Sequence, residues 1–166
     1  MLERFGTMSC AETFSYAINY AVGGHPMGEA LAAAIASQAE VLQRFPTSAA
    51  LFMPAGDGQT TPAVGETWCN KGLGRVLQSL ATAEARALSR GCSRAEGVAA
   101  ACACFYTGEV GDELVGWLRA NGGLLTKDDM AAHSPQVAVG ETVILLYCSL
   151  PLVGVSIGKE RRVSAK

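Results

Sequence analysis

The stretch Ser9-Cys10-Ala11-Glu12-Thr13-Phe14-Ser15-Tyr16-Ala17-Ile18-Asn19-Tyr20-Ala21-Val22-Gly23-Gly24-His25-Pro26 decides the fold class. Ser9 followed three residues later by Glu12 is a capping box, in which each side chain satisfies a backbone amide that the helix leaves free. Phe14, Ala17, Ile18, Ala21 and Val22 then recur at steps of three and four, the spacing of one helical face. Gly23-Gly24 and Pro26 supply the left-handed cap and the breaker that end it. An amphipathic helix of about four turns follows from these signals.

The same grammar repeats downstream. Leu31, Ile35, Ala39 and Leu42 form a stripe within an Ala-rich helix over 28–43, which Phe45-Pro46 ends, since the residue before proline is pushed out of the helical region. The first two helices are therefore expected to lie antiparallel across a short Gly/Pro turn. Residues 47–70 lose periodicity around Ala55-Gly56-Asp57-Gly58 and read as one long loop, with a short extended piece at Leu51–Met53. Asn70 caps the next helix, whose apolar side is Leu73, Val76, Leu77, Leu80, Ala81 and Leu88, ending near Gly91. Ser93-Arg94-Ala95-Glu96 is a second capping box, opening a helix through Val98, Ala101 and Phe105. Gly108 interrupts, Val110, Leu114, Val115 and Leu118 continue to Gly122-Gly123, and Thr126 with Asp129 caps a short helix through Met130. The fold class is mainly α: antiparallel helices, short Gly/Pro turns, one long loop, and one or two short strands near the C-terminus.

Those strands are expected after Val137, where the chain turns β-branched and aliphatic and 142–157 holds no charge, with Pro151 in its midst. A spanning helix needs about 20 apolar residues, and this stretch is shorter. The basic residues Lys159, Arg161, Arg162 and Lys166 behind it leave a membrane-associated tail as the alternative.

Composition narrows function. The chain has 166 residues, 13 Lys+Arg against 15 Asp+Glu and a formal charge of -2. With no run of like charge, this excludes an electrostatic nucleic-acid footprint. Hydrophobic residues make up 49%, with only 17% charged, which argues for an ordered core rather than disorder. Met1-Leu2-Glu3-Arg4-Phe5 has no apolar run behind it and does not read as an export signal, so cytoplasmic placement is the default. Cys10, Cys69, Cys92, Cys102, Cys104 and Cys148 show no C-x-x-C and read as free thiols. With only His25 and His133, no metal site and no cofactor are expected. His25 reads as a turn residue and His133 as a helix end. Asp128-Asp129 read as capping and helix-dipole groups rather than a catalytic pair. No catalytic residue is assigned, since no nucleophile stands in a signature context and Gly72-Leu73-Gly74 lacks a third glycine and a preceding strand.

Five blocks taken in order resemble the γ-glutamyltransferase (glutathione hydrolase) family. Arg4-Phe5-Gly6-Thr7 leads into Ala11-Glu12, Tyr16-Ala17-Ile18 and Gly24-His25-Pro26, with Tyr16 where the family has proline and His25 where it has an aromatic. Phe45-Pro46 and Phe52-Met53-Pro54-Ala55-Gly56 are similar to its Phe-Leu-Pro-x-Gly loop. Ser93-Arg94-Ala95-Glu96-Gly97, Phe105-Tyr106-Thr107-Gly108-Glu109 and Gly122-Gly123-Leu124-Leu125-Thr126 with Asp128-Asp129-Met130 complete the series.

The resemblance implies an N-terminal nucleophile hydrolase of αββα type, in which a precursor cuts itself and the new N-terminal threonine attacks a γ-glutamyl amide with its own amine as base. It covers the helical part of the large subunit over 1–136, and 137–166 diverges, as a truncated or shifted reading frame would. The substrate-binding arginine segment and the threonine-bearing small subunit are not matched. The chain is therefore expected to be inactive alone, with the remainder of the large subunit, the small subunit or a homologous chain as partner. The second expectation is a non-catalytic helical interaction module. Thr60-Thr61 is followed by Pro62 where the family's paired threonines have His, and is not assigned as catalytic.

Overall fold

The computed structural model describes residues 2–53 and 60–134. Its order is α1 (Leu2–Phe5), α2 (Cys10–Gly23), β1 (His25–Pro26), α3 (Glu29–Ser37), α4 (Ala39–Gln43), α5 (Pro46–Phe52), β2 (Thr67–Trp68), α6 (Lys71–Ser89), α7 (Arg94–Tyr106), α8 (Glu109–Ala120) and α9 (Lys127–Ala132). The mainly helical class holds. The strands expected near the C-terminus lie outside the described residues.

The predicted caps form. Ser9 Oγ accepts from Glu12 N at 3.2 Å while Ser9 N donates to Glu12 Oε2 at 2.8 Å. Ser93 N donates to Glu96 Oε2 at 2.7 Å in the same arrangement on α7. Asn70 Oδ1 accepts from Leu73 N at 2.9 Å and opens α6. Gly24 ends α2 at φ 85°, a conformation costly for any residue with a Cβ.

Packing departs from the expected neighbour pairing. α2 lies on α6 rather than on α3, and α6 lies on α7. Glycines make both approaches close. A Cβ on Gly74 would sit 2.5 Å from Val22 Cγ2, and one on Gly97 would sit 3.2 Å from Leu88 Cγ and 3.3 Å from Glu84 Cγ. On α6 the fully buried positions are Gly74 and Glu84, whereas Leu73 and Leu88 of the predicted stripe are exposed.

Three other expectations are corrected. The helix over 28–43 is two helices, broken at Gln38, where Ser37 Oγ donates to Ala34 O at 2.9 Å and competes with the backbone ladder. Leu51 and Phe52 are helical, not extended, because Pro46 stands at the first helical position with its φ preset and nucleates α5. Gly24-His25-Pro26 does not simply turn. His25 and Pro26 pair antiparallel with Trp68 and Thr67, and Met27 N donates to Glu66 O at 2.8 Å. The end of the loop is thereby tied to the segment after α2. Met27, Ala32 and Ile35 form a buried cluster there, with Leu42, Phe52 and Trp68 packed against it.

Candidate functional site

The most enclosed polar chemistry lies where α2, α6 and α7 meet. Glu84 stands seven residues after Leu77 and four before Leu88, so helical periodicity places a carboxyl on the apolar side of α6. It is 2% exposed. Its Oε2 accepts from Cys10 N at 2.6 Å, taking one of the free amides at the start of α2. Arg94, the first residue of α7, donates from Nη2 to Leu2 O at 2.9 Å and Met8 O at 3.1 Å, fastening the segment that carries α1. Glu84 Oε1 and Arg94 Nε are buried without a hydrogen-bond partner.

Cys10 is the buried nucleophilic side chain of this junction. Burial, and then the Glu84 carboxyl beside it, push its thiol up to about 11. At neutral pH it is a protonated, unreactive thiol rather than an activated nucleophile. Cys69, Cys92, Cys102 and Cys104 are likewise free thiols, and Cys148 lies outside the described residues.

A half-open hollow of about 170 Å³ lies between α8 and α9, lined by Tyr106, Gly111, Asp112, Val115, Lys127 and Met130 among others. Lys127 Nζ and Asp112 Oδ1 pair there at 2.5 Å. Asp129 accepts from Thr126 N at 2.9 Å and Thr126 Oγ1 at 2.6 Å, contacts that hold its carboxyl below the usual range. It therefore caps α9, as read from sequence. His25 is not a turn residue. Its ring makes edge contacts with Tyr20 at 6.3 Å and Trp68 at 5.6 Å, and Phe52 stacks on Trp68 at 5.8 Å. His133 is exposed beyond α9. Thr60 and Thr61 lie outside any helix or strand, ahead of β2.

Sequence reading missed Glu84, although a lone acid inside an apolar stripe was visible. It also missed Arg94 as more than a box residue, because the two carbonyls it reaches are more than 80 positions away. Among the described residues no group of three His, Cys, Asp or Glu is placed to hold a metal ion, and no helix is long and apolar enough to cross a membrane.

The helical arrangement is shared with solved structures. Helicobacter pylori gamma-glutamyltranspeptidase matches 86% of this chain at 20% identity with a TM-score of 0.69, over 35% of its own length. Cephalosporin acylase from Bacillus halodurans matches 86% at 25% identity with a TM-score of 0.65, over 24% of its own length. The Bacillus anthracis transpeptidase CapD matches 86% at 18% identity with a TM-score of 0.60, over 41% of its length. This chain thus spans between a quarter and two-fifths of the solved proteins it resembles. A search of curated proteins gives no significant match. The sequence pattern of gamma-glutamyltranspeptidases matches residues 1–148, past the last of the five quoted blocks and into the apolar stretch after Val137. On that match over most of its length, the chain belongs to the gamma-glutamyltranspeptidase family.

Proposed function

We propose that this chain is a helical portion of the large subunit of a γ-glutamyl-transferring N-terminal nucleophile hydrolase, and that it does not turn over substrate by itself. The observation that carries the reading is one of coverage. Almost all of this chain matches solved transpeptidases, yet it spans 35% of the Helicobacter pylori enzyme.

Chemistry supports the same reading. Acyl transfer needs a nucleophile within hydrogen-bond reach of a base. The buried Cys10 is held protonated, and Thr107 spends its hydroxyl on Ala103 O at 3.1 Å. In the proposed whole enzyme a threonine on a separate small subunit attacks the γ-glutamyl amide of glutathione or a related donor, its own amine taking the proton, and water or an amino acid accepts the group. The helical lobe, 1–136, supplies scaffold.

Exposed apolar side chains favour the companion reading that this lobe is covered by a protein partner. Tyr16 is 76% and Leu124 93% exposed, and Phe45 and Trp117 line one open hollow of about 610 Å³. The deciding assay incubates the purified 166-residue chain with a γ-glutamyl chromogenic substrate. No release above background is expected. Saturable release of the chromophore by the chain alone overturns the inactive-alone reading.

A further inference from the structure

We propose that the α2–α6–α7 junction holds one buried water molecule that bridges Glu84 Oε1 and Arg94 Nε. The two atoms are of opposite sense, one an acceptor and one a donor, and both are shut away from solvent without a partner. Buried polar groups left unmatched are costly, and native structures satisfy nearly all of them with protein or with water.

The two side chains meet at the same place. Arg94 and Gly97 are three residues apart on α7, hence on one face, and a Cβ on Gly97 would lie 3.3 Å from Glu84 Cγ. Arg94 Nη2 is 3.1 Å from Met8 O, and Glu84 Oε2 is 2.6 Å from the amide of Cys10, two residues on. Yet Glu84 and Arg94 are not in direct ion-pair contact. The ion pairs among the described residues are Arg75 with Glu113 and Lys127 with Asp112.

Size and access select the ligand. The group must accept from one atom and donate to the other where both atoms are out of contact with solvent, which favours a small ligand over a side chain from another subunit. Water, at about 30 Å³ with two donors and two acceptors, meets both requirements. The Cys10 thiol, hydrogen-bonded to the Glu84 carboxyl and influenced by Arg94, marks the same spot. Bridged in this way, the carboxyl and guanidinium become one unit that ties Leu2–Cys10 to α6 and α7. The inference rests on the closed core and is independent of the functional reading above.

A crystal structure of the 166-residue chain fine enough to show ordered solvent tests it directly. One water peak within hydrogen-bond distance of both Glu84 Oε1 and Arg94 Nε is expected. A direct carboxyl–guanidinium contact, or no peak between two ordered side chains, overturns the proposal. In solution, the Hε proton of Arg94 should cross-relax with a long-lived water, and that signal should be lost in Glu84→Leu. If Glu84→Leu does not fold, the parent protein still decides, because a folded chain whose Arg94 Hε shows no water cross-relaxation contradicts the bridge.

Discussion

Two regions of this molecule make a core by opposite means. Where α2, α6 and α7 meet, helices approach closely over Gly74 and Gly97, the buried apolar side chains are as small as Ala21, Val98 and Ala101, and a buried glutamate and an arginine fasten backbone groups. Around β1 and β2 the elements are two to nine residues long, and large side chains do the packing: Met27, Ile35, and Phe52 stacked on Trp68, whose Nε1 donates to Leu51 O at 2.9 Å. Long helices can be held by shape and hydrogen bonds because their own ladders satisfy the backbone. Short elements have few internal bonds and depend on buried side-chain area. The first region should therefore suffer from added volume, and the second from removed volume.

The largest expected effect is in the second region. Ile35→Ala removes a 4%-exposed side chain from the Met27 cluster and should cost about 2–5 kcal/mol, read from the midpoint of urea unfolding. A loss under about 1 kcal/mol would mean that the short elements are not held by this cluster. Next comes thiol chemistry in the first region. At pH 8, a thiol moved from an ordinary 9.0 to about 11 should hold roughly a hundredfold less thiolate than an unshifted one, and with its burial should react much more slowly with a disulfide reagent. Cys92 and Cys102, both exposed, should therefore react first and Cys10 last. The raised pKa also fixes a sign. The folded state holds the Cys10 proton more tightly, so its contribution is complete below pH 9 and is lost as pH rises from 9 towards 11. Prompt labelling of Cys10 in the folded chain would break the picture of a closed junction.

A paired substitution on α6 sharpens the same contrast. A Cβ at Gly72 meets only Asn70 Oδ1 at an ordinary 3.5 Å, whereas at Gly74 it would press on the β-branched Val22 at 2.5 Å. Helix propensity favours alanine over glycine at both by up to about 1 kcal/mol. Gly72→Ala should therefore stabilise by a few tenths to about 1 kcal/mol, while Gly74→Ala should destabilise by about 1 kcal/mol once the overpacking is included. Equal thermal shifts in the two variants would show that α2 and α6 are not in close contact.

This contrast also explains what the sequence made legible. Helix starts were readable to the residue at Ser9, Asn70 and Ser93, because a cap is a local contract between residues three apart. Periodicity found only part of the packed side of α6: Val76, Leu77, Leu80 and Ala81 of the stripe are half-buried and Leu88 meets Gly97, but Leu73 is exposed, and the closest approaches lie at Gly74 and Gly97, whose value lies in an absent side chain. The β1–β2 pairing was unreadable, since two-residue strands have no period and His25 finds Trp68 more than 40 positions away. Of the α2–α6–α7 junction, only the out-of-place Glu84 left a local trace. The Arg94 contacts depend on where the helices finally lie. Family membership was legible because five short blocks, mostly of loop and cap residues, stand in the family's order along the chain.

The smallest effects, at the caps, separate the two regions by pH. α2 and α7 begin in capping boxes, whereas α3 and α5 begin at Gly28 and Phe45 with no side-chain cap. The backbone amides and then the hydroxyls of Ser9 and Ser93 hold Glu12 and Glu96 below the usual carboxylate range. A carboxyl whose folded pKa is depressed adds stability above its unfolded pKa, and that contribution is lost as pH falls through the folded value. The hydrogen-exchange protection of the first turns of α2 and α7, taken relative to the intrinsic amide rate at each pH, should therefore fall below about pH 4.3, the unfolded glutamate value. The first turns of α3 and α5 should show no matching step. Ser93→Ala should cost about 1 kcal/mol at neutral pH and blunt the acid step in α7 alone, because one of the two contacts that favour ionised Glu96 is gone. Glu96→Gln keeps a partner for the Ser93 amide but cannot titrate, so it should remove the step while retaining most of the stability. An acid step of the same size in α3 and α5 would show that acid loosens the lobe as a whole, and the distinction between a hydrogen-bonded region and a packed one would fail.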